Sequence, residues 1–258
     1  MKRQPKRGSK PSIFISNDDG IYGPGLKPLV RALKSLGRVT VVVPELERSA
    51  GSHAITLHKP IRVHRLDRST LIMNGTPADC VRFGVLSLLK EDVDVVVSGI
   101  NRGPNLGADT IYSGTVGAAM EGCMMGIPSL AVSLADVGRG NYETAARFTR
   151  ALVKVLLERP VPKDICYNVN VPDRPFGRMR GVSVTHLGKR IYGKDLESGI
   201  DPRGQAYYWL AGETPTGIAV PGSDIAAIQQ GKISVTPLRL DMTATEMIPV
   251  LRQWSWRY

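Results

Sequence analysis

Five apolar runs recur through the first two thirds of the chain, each separated from the next by a stretch long enough for a helix. They cover residues 12–16, 38–43, 93–98, 128–134 and 166–171. The first three runs are nearly continuous in valine and isoleucine, and the others keep mostly apolar or small residues, with Asn168 and Asn170 in the last. A strand with one face in water alternates; a strand covered on both faces does not. The intervening segments carry helix signals. Residues 24–36 have Pro24 in the first turn and Gly37 as a stop. Thr76-Pro77-Ala78-Asp79 opens a second helix running to about residue 89, and Ser113-Gly114-Thr115 opens a third running to about residue 125. Asn141 is expected to cap a fourth, Tyr142–Glu158. Residues 61–66 and 71–73 read as a hairpin or meander. Repeated β-α-β order of this kind predicts an α/β protein with a mostly parallel sheet and helices on both faces. Strand order is not readable from the chain.

After Pro172 the texture changes. Glycine, proline and aromatic residues become frequent, and the regular alternation stops. Residues 207–210 and 233–236 read as strands. Thr243 and Glu246 have the spacing of a capping box for a terminal helix, and Pro249 is tolerable there only in the first turn. Three segments follow: a basic tail over 1–11, an α/β core over 12–172, and a C-terminal extension over 173–258. Trp254, Trp256 and Tyr258 put large apolar surface on the terminus, to be covered by their own domain or by a neighbouring subunit.

The 258 residues suit one large domain, or one with an appendage. The net charge of +11 falls to +6 without Lys2, Arg3, Lys6, Arg7 and Lys10. The remainder suits a protein that handles anions. The missing basic stripe with interleaved aromatics argues against a nucleic-acid partner. No apolar run approaches the roughly 18 residues that span a membrane, and no apolar stretch follows the basic tail as in a secretory signal. Cys80, Cys123 and Cys166 are odd in number and lie in apolar surroundings, which suits reduced, buried thiols and a cytoplasmic setting.

The chemistry starts where the first run ends, at Asn17-Asp18-Asp19-Gly20. Two adjacent carboxylates repel unless a cation holds them together. The carboxyl ends of parallel strands are where ligands bind in such folds. The loops after two other strands, with Glu47, Ser49 and Ser52, and with Asn101 and Asn105, would bring further oxygen donors to the same edge. All-oxygen ligation selects Mg²⁺ or Mn²⁺, with Ca²⁺ as a further member of the class. His53, His58, His64 and His186 form no zinc-type pair. Among them His53 lies nearest the candidate site. At Ser113, Gly114 and Thr115 a helix start with small residues offers backbone N–H groups to a phosphate. The P-loop, dinucleotide-binding and nucleophile-elbow signatures are absent.

Taken together, Asn17-Asp18-Asp19-Gly20, Glu47-Arg48-Ser49, Gly75-Thr76-Pro77-Ala78-Asp79-Cys80, Ser98 to Asn105 and Tyr112-Ser113-Gly114-Thr115-Val116 resemble the survival protein SurE family. The likeness is in register over residues 12–135 and looser beyond Pro172. It implies a Rossmann-like core and a metal-dependent 5′-nucleotidase for nucleoside monophosphates, with activity extending to 3′-nucleotides and short polyphosphate. It implies one divalent ion per subunit on Asp18, Asp19, Ser49 and Asn101. It also implies a C-terminal part exchanged between subunits of a dimer or tetramer. Ala50 departs from relatives that place glycine directly after the serine. Asp18 and Asp19 are then the catalytic centre, Ser113, Gly114 and Thr115 cradle phosphate, and Asn105 orients phosphate or ribose. Water attack is favoured over an aspartyl-phosphate, because the Asp-x-Asp spacing of that route is missing. Two rivals remain at this level: a non-catalytic nucleic-acid binder, and a phosphatase of another small ester such as a sugar phosphate.

Overall fold

The uninterrupted apolar runs lie at the centre of a single nine-stranded sheet. A computed structural model describes residues 10–89, 93–135, 138–193, 196–209 and 216–256. Lys2, Arg3, Lys6 and Arg7 of the basic tail, Leu210 and Tyr258 lie outside the described residues. The first seven strands are β1 (Ser12–Ser16), β2 (Arg38–Pro44), β3 (Val63–Arg65), β4 (Thr70–Met73), β5 (Val95–Arg102), β6 (Ser129–Ala135) and β7 (Ile165–Pro172). Six more follow: β8 (Val182–Val184), β9 (Lys189–Ile191), β10 (Glu197–Ile200), β11 (Ala206–Trp209), β12 (Thr216–Ile218) and β13 (Ile233–Arg239). The sheet order is β3-β4-β2-β1-β5-β6-β7-β13-β8. The block β4-β2-β1-β5-β6-β7 is parallel throughout; β3 and β13 run antiparallel to their neighbours in it.

Helices cover both faces, as the unalternating strands require. On one face α1 (Leu26–Lys34) packs beside α5 (Tyr142–Glu158), over Ile13, Ile15, Val97 and Leu130. On the other, α2 (Pro77–Phe83) packs on α4 (Gly114–Met124), over Phe14, Val42 and Val96. The four-residue α3 (Asp109–Tyr112) leads into α4. Phe14 on one side of β1 and its neighbours Ile13 and Ile15 on the other are all 1% exposed or less. That two-sided burial is the physical origin of the runs.

The structure departs from expectation in four places. Strand β5 does not stop at Ser98; it continues to Arg102 through a register shift against β6 between Gly99 and Asn101. Helix α1 begins at Leu26, after a turn closed by a Leu26 N–H to Gly23 carbonyl bond of 3.1 Å. Asn141 makes no side-chain cap on α5, because its amide donates to Asp173 Oδ1 at 2.8 Å. The capping box at Thr243 and Glu246 does not form; a short 3-10 turn leads into α7 (Ile248–Leu251), with Pro249 in the first turn. The change of texture after Pro172 is real, yet β8, β13 and α6 (Asp224–Gln229) return to the main body. Hairpin β10–β11 and the pair β9–β12 stand outside the sheet.

Candidate metal centre

Strand order reverses at β1: the chain steps from β1 to β2 and β4 on one side, then crosses to β5, β6 and β7 on the other. Such a switch point opens a crevice at the carboxyl ends. Asp18 and Asp19 follow β1, Ser49 lies in the loop after β2, and Asn101 sits near the end of β5. The three chain segments expected to meet do meet. Arg48 N–H donates to the Asp18 carbonyl at 2.8 Å, and Arg102 N–H to Asp19 Oδ2 at 3.3 Å.

The turn after β1 is built by Asn17. Its side-chain amide donates to the Gly20 carbonyl at 2.9 Å, and its oxygen accepts from Gly20 N–H at 3.1 Å. Gly20 has φ of +75°, a conformation that side chains with a Cβ resist. The two aspartates therefore leave a rigid turn. Asp18 is 4% exposed and accepts the Thr115 hydroxyl hydrogen at Oδ1. Burial pushes the Asp18 carboxyl up from its ordinary value, against the pull of the Thr115 bond. Burial, followed by the Asp18 charge, pushes Asp19 up to about 6. Glu47 adds negative charge near both.

An acidic pair, one member buried and the other half-buried, with raised proton affinity is a place where a cation is favoured. Among the described residues no group of three His, Cys, Asp or Glu side chains is placed to hold a metal ion, which turns attention to neutral oxygens. Ser49 and Asn101 fit that need. Ser49 Oγ gives its hydrogen to Glu47 Oε1 at 2.6 Å, which leaves lone pairs for an ion. Asn101 Nδ2 donates to the Gly103 carbonyl at 2.9 Å, which assigns the amide orientation and leaves Oδ1 as acceptor. The donor set therefore fits a hard divalent ion.

Helix α4 starts against this turn. Ser113 caps it, its Oγ accepting from Val116 N–H at 3.1 Å. A Cβ at Gly114 would lie 3.1 Å from Asp18 Cβ and 3.3 Å from the Arg48 carbonyl, so glycine permits the approach. Thr115, expected at the phosphate, gives its hydroxyl hydrogen to Asp18. Asn105 is 6% exposed and sits in a polar network. Its Nδ2 donates to Ser133 Oγ at 2.8 Å, and its carbonyl accepts from Asn168 and Asn170 at 2.8 and 2.9 Å. That network holds the β5 to α3 loop in place. Asn168 and Asn170 share one face of β7, and their spacing in Asn168-Val169-Asn170 was the available signal.

Sequence reasoning also passed over Glu121, which is 1% exposed within the otherwise apolar α4. Its oxygens meet His53 Nε2 at 2.9 Å and Arg82 Nη1 at 2.6 Å. A lone acid in a helix of valine, alanine and cysteine could have flagged it. His58, His64 and His186 are exposed.

A family model described as "Survival protein SurE" matches residues 13–194. A protein of Geobacter sulfurreducens named 5′-nucleotidase SurE is 48% identical over 245 residues, 95% of this chain and 94% of the relative. One of Moorella thermoacetica with the same name is 50% identical over 236 residues, 90% and 91% of the two chains. The crystal structure of the SurE protein from Aquifex aeolicus superimposes with a TM-score of 0.83 at 39% identity, covering 94% of this chain and 98% of that one.

Proposed function

The chain belongs to the survival protein SurE family, and from that premise we propose that it is a divalent-metal-dependent phosphomonoesterase that hydrolyses nucleoside 5′-monophosphates to nucleoside and phosphate. The observation that carries this reading is the adjacent pair of buried Asp18 and half-buried Asp19 at the strand-order switch, bonded to the segments that carry Ser49 and Asn101 through Arg48 N–H and Arg102 N–H. Asp18, Asp19, Ser49 and Asn101 would hold one ion, Mg²⁺ or Mn²⁺, through oxygen. Such an ion supplies charge neutralisation on the phosphoryl oxygens and lowers the pKa of a bound water. The protein contributes the rest. The N-terminus of α4, with Gly114 close to Asp18, presents backbone N–H groups where phosphate charge develops. Ser113 keeps that helix end fixed, Thr115 holds Asp18 in place, and Asn105 acts through the loop it anchors. With Asp18 bound to Thr115, direct attack by water is favoured over a phosphorylated aspartate.

We assign the catalytic core to residues 12–172 and an extension exchanged between subunits of a dimer or tetramer to 173–258, with a basic tail over 1–11. Three free, buried cysteines suit a reducing, cytoplasmic setting. Among the described residues no helix is long and apolar enough to cross a membrane.

A phosphate-release screen tests the reading, over nucleoside 5′- and 3′-monophosphates, nucleoside triphosphates, sugar phosphates and short polyphosphate, with EDTA, Mg²⁺ and Mn²⁺ arms. Release from 5′-monophosphates should be fastest and should vanish in EDTA. EDTA-insensitive release would sink the proposal, and a preference for sugar phosphates would replace the substrate. Asp19→Asn should cut turnover about a hundredfold or more, the scale of one preorganised charge-stabilising group.

A further inference from the structure

We propose that His53, Glu121 and Arg82 form a clamp that positions Ser49, an inference that rests on the metal-centre reading above. A carboxylate buried in a helix is costly unless both its oxygens find donors. Glu121 is 1% exposed and meets that demand from two different elements: Arg82 of α2 at 2.6 Å and His53 at 2.9 Å. His53 belongs to the loop after β2, four residues beyond Ser49.

That loop needs holding. Ala50 and Ser52 have φ of +56° and +51°, a region that residues with a Cβ avoid. Left to local preference, the segment would relax. Its other ties include Arg48 N–H to the Asp18 carbonyl at 2.8 Å, Ser52 N–H and Oγ to the carbonyls of Tyr112 and Ile111 at 2.9 and 2.6 Å, Thr76 Oγ1 to the Ala54 carbonyl at 2.7 Å, and Thr56 N–H to Asp79 Oδ1 at 3.0 Å. His53 differs in kind, because it reaches into α4 itself. Gly117 makes room for the contact, since a Cβ there would lie 2.7 Å from the Ser52 carbonyl oxygen and 2.9 Å from His53 Cα.

Helix α4 thereby grips both halves of the proposed oxygen cage. Its first turn holds Asp18 through Thr115, and Glu121, less than two turns further on, holds the Ser49 loop through His53. With the Arg48 N–H to Asp18 carbonyl bond on the near side of Ser49, the His53 grip holds the far side of the same loop. His53 is a positioning residue: it acts through Ser49, and nothing here requires it to touch substrate.

The test measures Mn²⁺ binding to the full-length protein by calorimetry, beside steady-state kinetics and thermal melting. The variants are His53→Ala, His53→Leu, His53→Gln and Ser49→Ala. Loss of a group that orients a metal ligand weakens metal affinity by about 10–100-fold. We expect a tenfold or greater loss in His53→Ala, a lower kcat at limiting Mn²⁺ that saturating Mn²⁺ largely restores, and substantial rescue in His53→Gln, which keeps a donor. His53→Leu fills the same space without a donor; it should match His53→Ala, and it stands in for that variant if it does not fold. A lowered melting temperature with wild-type Mn²⁺ affinity would overturn the clamp and leave a purely structural staple. Ser49→Ala separates the two levels. If it binds Mn²⁺ like wild type, the metal-centre reading fails; if it loses Mn²⁺ while the His53 variants do not, only the clamp fails.

Discussion

Thr115 is fully buried and gives its hydroxyl hydrogen to Asp18. A hydrogen bond to a charged acceptor is worth about 1.5–3 kcal/mol, and removing the donor leaves the acceptor buried and unmet. Thr115→Val keeps the shape and deletes the donor. At about 1.4 kcal/mol per decade, kcat/KM should fall roughly ten- to a hundredfold at saturating Mg²⁺. Thr115→Ser should recover most of it. A wild-type rate in Thr115→Val would mean that Asp18 is oriented by its backbone alone. The cysteines give a second residue-scale expectation. Burial pushes the Cys123 thiol up to about 11 and the Cys166 thiol up to about 12, and holds Cys80 well above its ordinary value. The thiolate is the reactive form, so none should react with a thiol reagent in the native protein at neutral pH. All three should react in denaturant. Rapid labelling of folded protein, read by mass spectrometry, would show that the interior around β7 and α4 opens.

The start of α1 and the irregular end of β5 are one structural unit. A Cβ at Gly25 would overlap the Ile100 carbonyl oxygen, a backbone atom that cannot swing aside. Gly25→Ala should therefore destabilise the fold by about 1–3 kcal/mol, as overpacking does, read as a lower urea midpoint with an unchanged slope. Because Asn101 adjoins Ile100, the same variant should also weaken Mn²⁺ binding; a wild-type midpoint would show that the helix start yields freely. This junction is also where local sequence stops determining the structure. The apolar runs announced β1, β2 and the start of β5, because burial on both faces leaves its trace in every residue of a strand. The extension of β5 to Arg102 left no such trace, since it depends on pairing with β6 through a register shift at Gly99 and Asn101. Asn141 looked like a cap because capping is a local rule; Asp173, 32 residues away, claimed its amide instead. That the segments carrying Asp18, Asp19, Ser49 and Asn101 would meet was legible, because each lies just after or near the end of a recognisable strand. Thr115 was legible as a helix start but not as the partner of Asp18, 97 residues away. The Glu121 clamp joins α2, α4 and a loop, and no window of sequence contains all three.

At the scale of the whole molecule, large apolar surface gathers after Pro172. On hairpin β10–β11, Ile200 is 74% exposed, Tyr208 68% and Trp209 64%. Toward the terminus, Met242 is 80% exposed and Trp256 64%, with the Trp254 and Trp256 rings in contact at 5.7 Å between centroids and tilted by 38°. Scattered exposed apolar residues need no explanation, but contiguous aromatic ones mark a surface that something covers. A two-stranded hairpin outside any larger sheet is also marginal alone. A second copy of this chain answers both demands. Each buried aromatic removes about 150–250 Å² from water, so a few on each partner approach the roughly 800 Å² per side of a stable interface. In light scattering at micromolar concentration the intact chain should run as a dimer or tetramer. A chain ending before Met242, or one carrying Tyr208→Asp and Trp209→Asp together, should shift toward smaller mass while keeping its circular dichroism spectrum. The core sheet does not depend on those residues, since β13, its last strand in chain order, ends at Arg239. Turnover by the smaller species would place the whole active site within one subunit. Loss of turnover with intact Mn²⁺ binding would place part of the substrate pocket on the partner. An intact chain that scatters as a monomer would leave the exposed aromatics without a partner of their own kind and overturn the assignment.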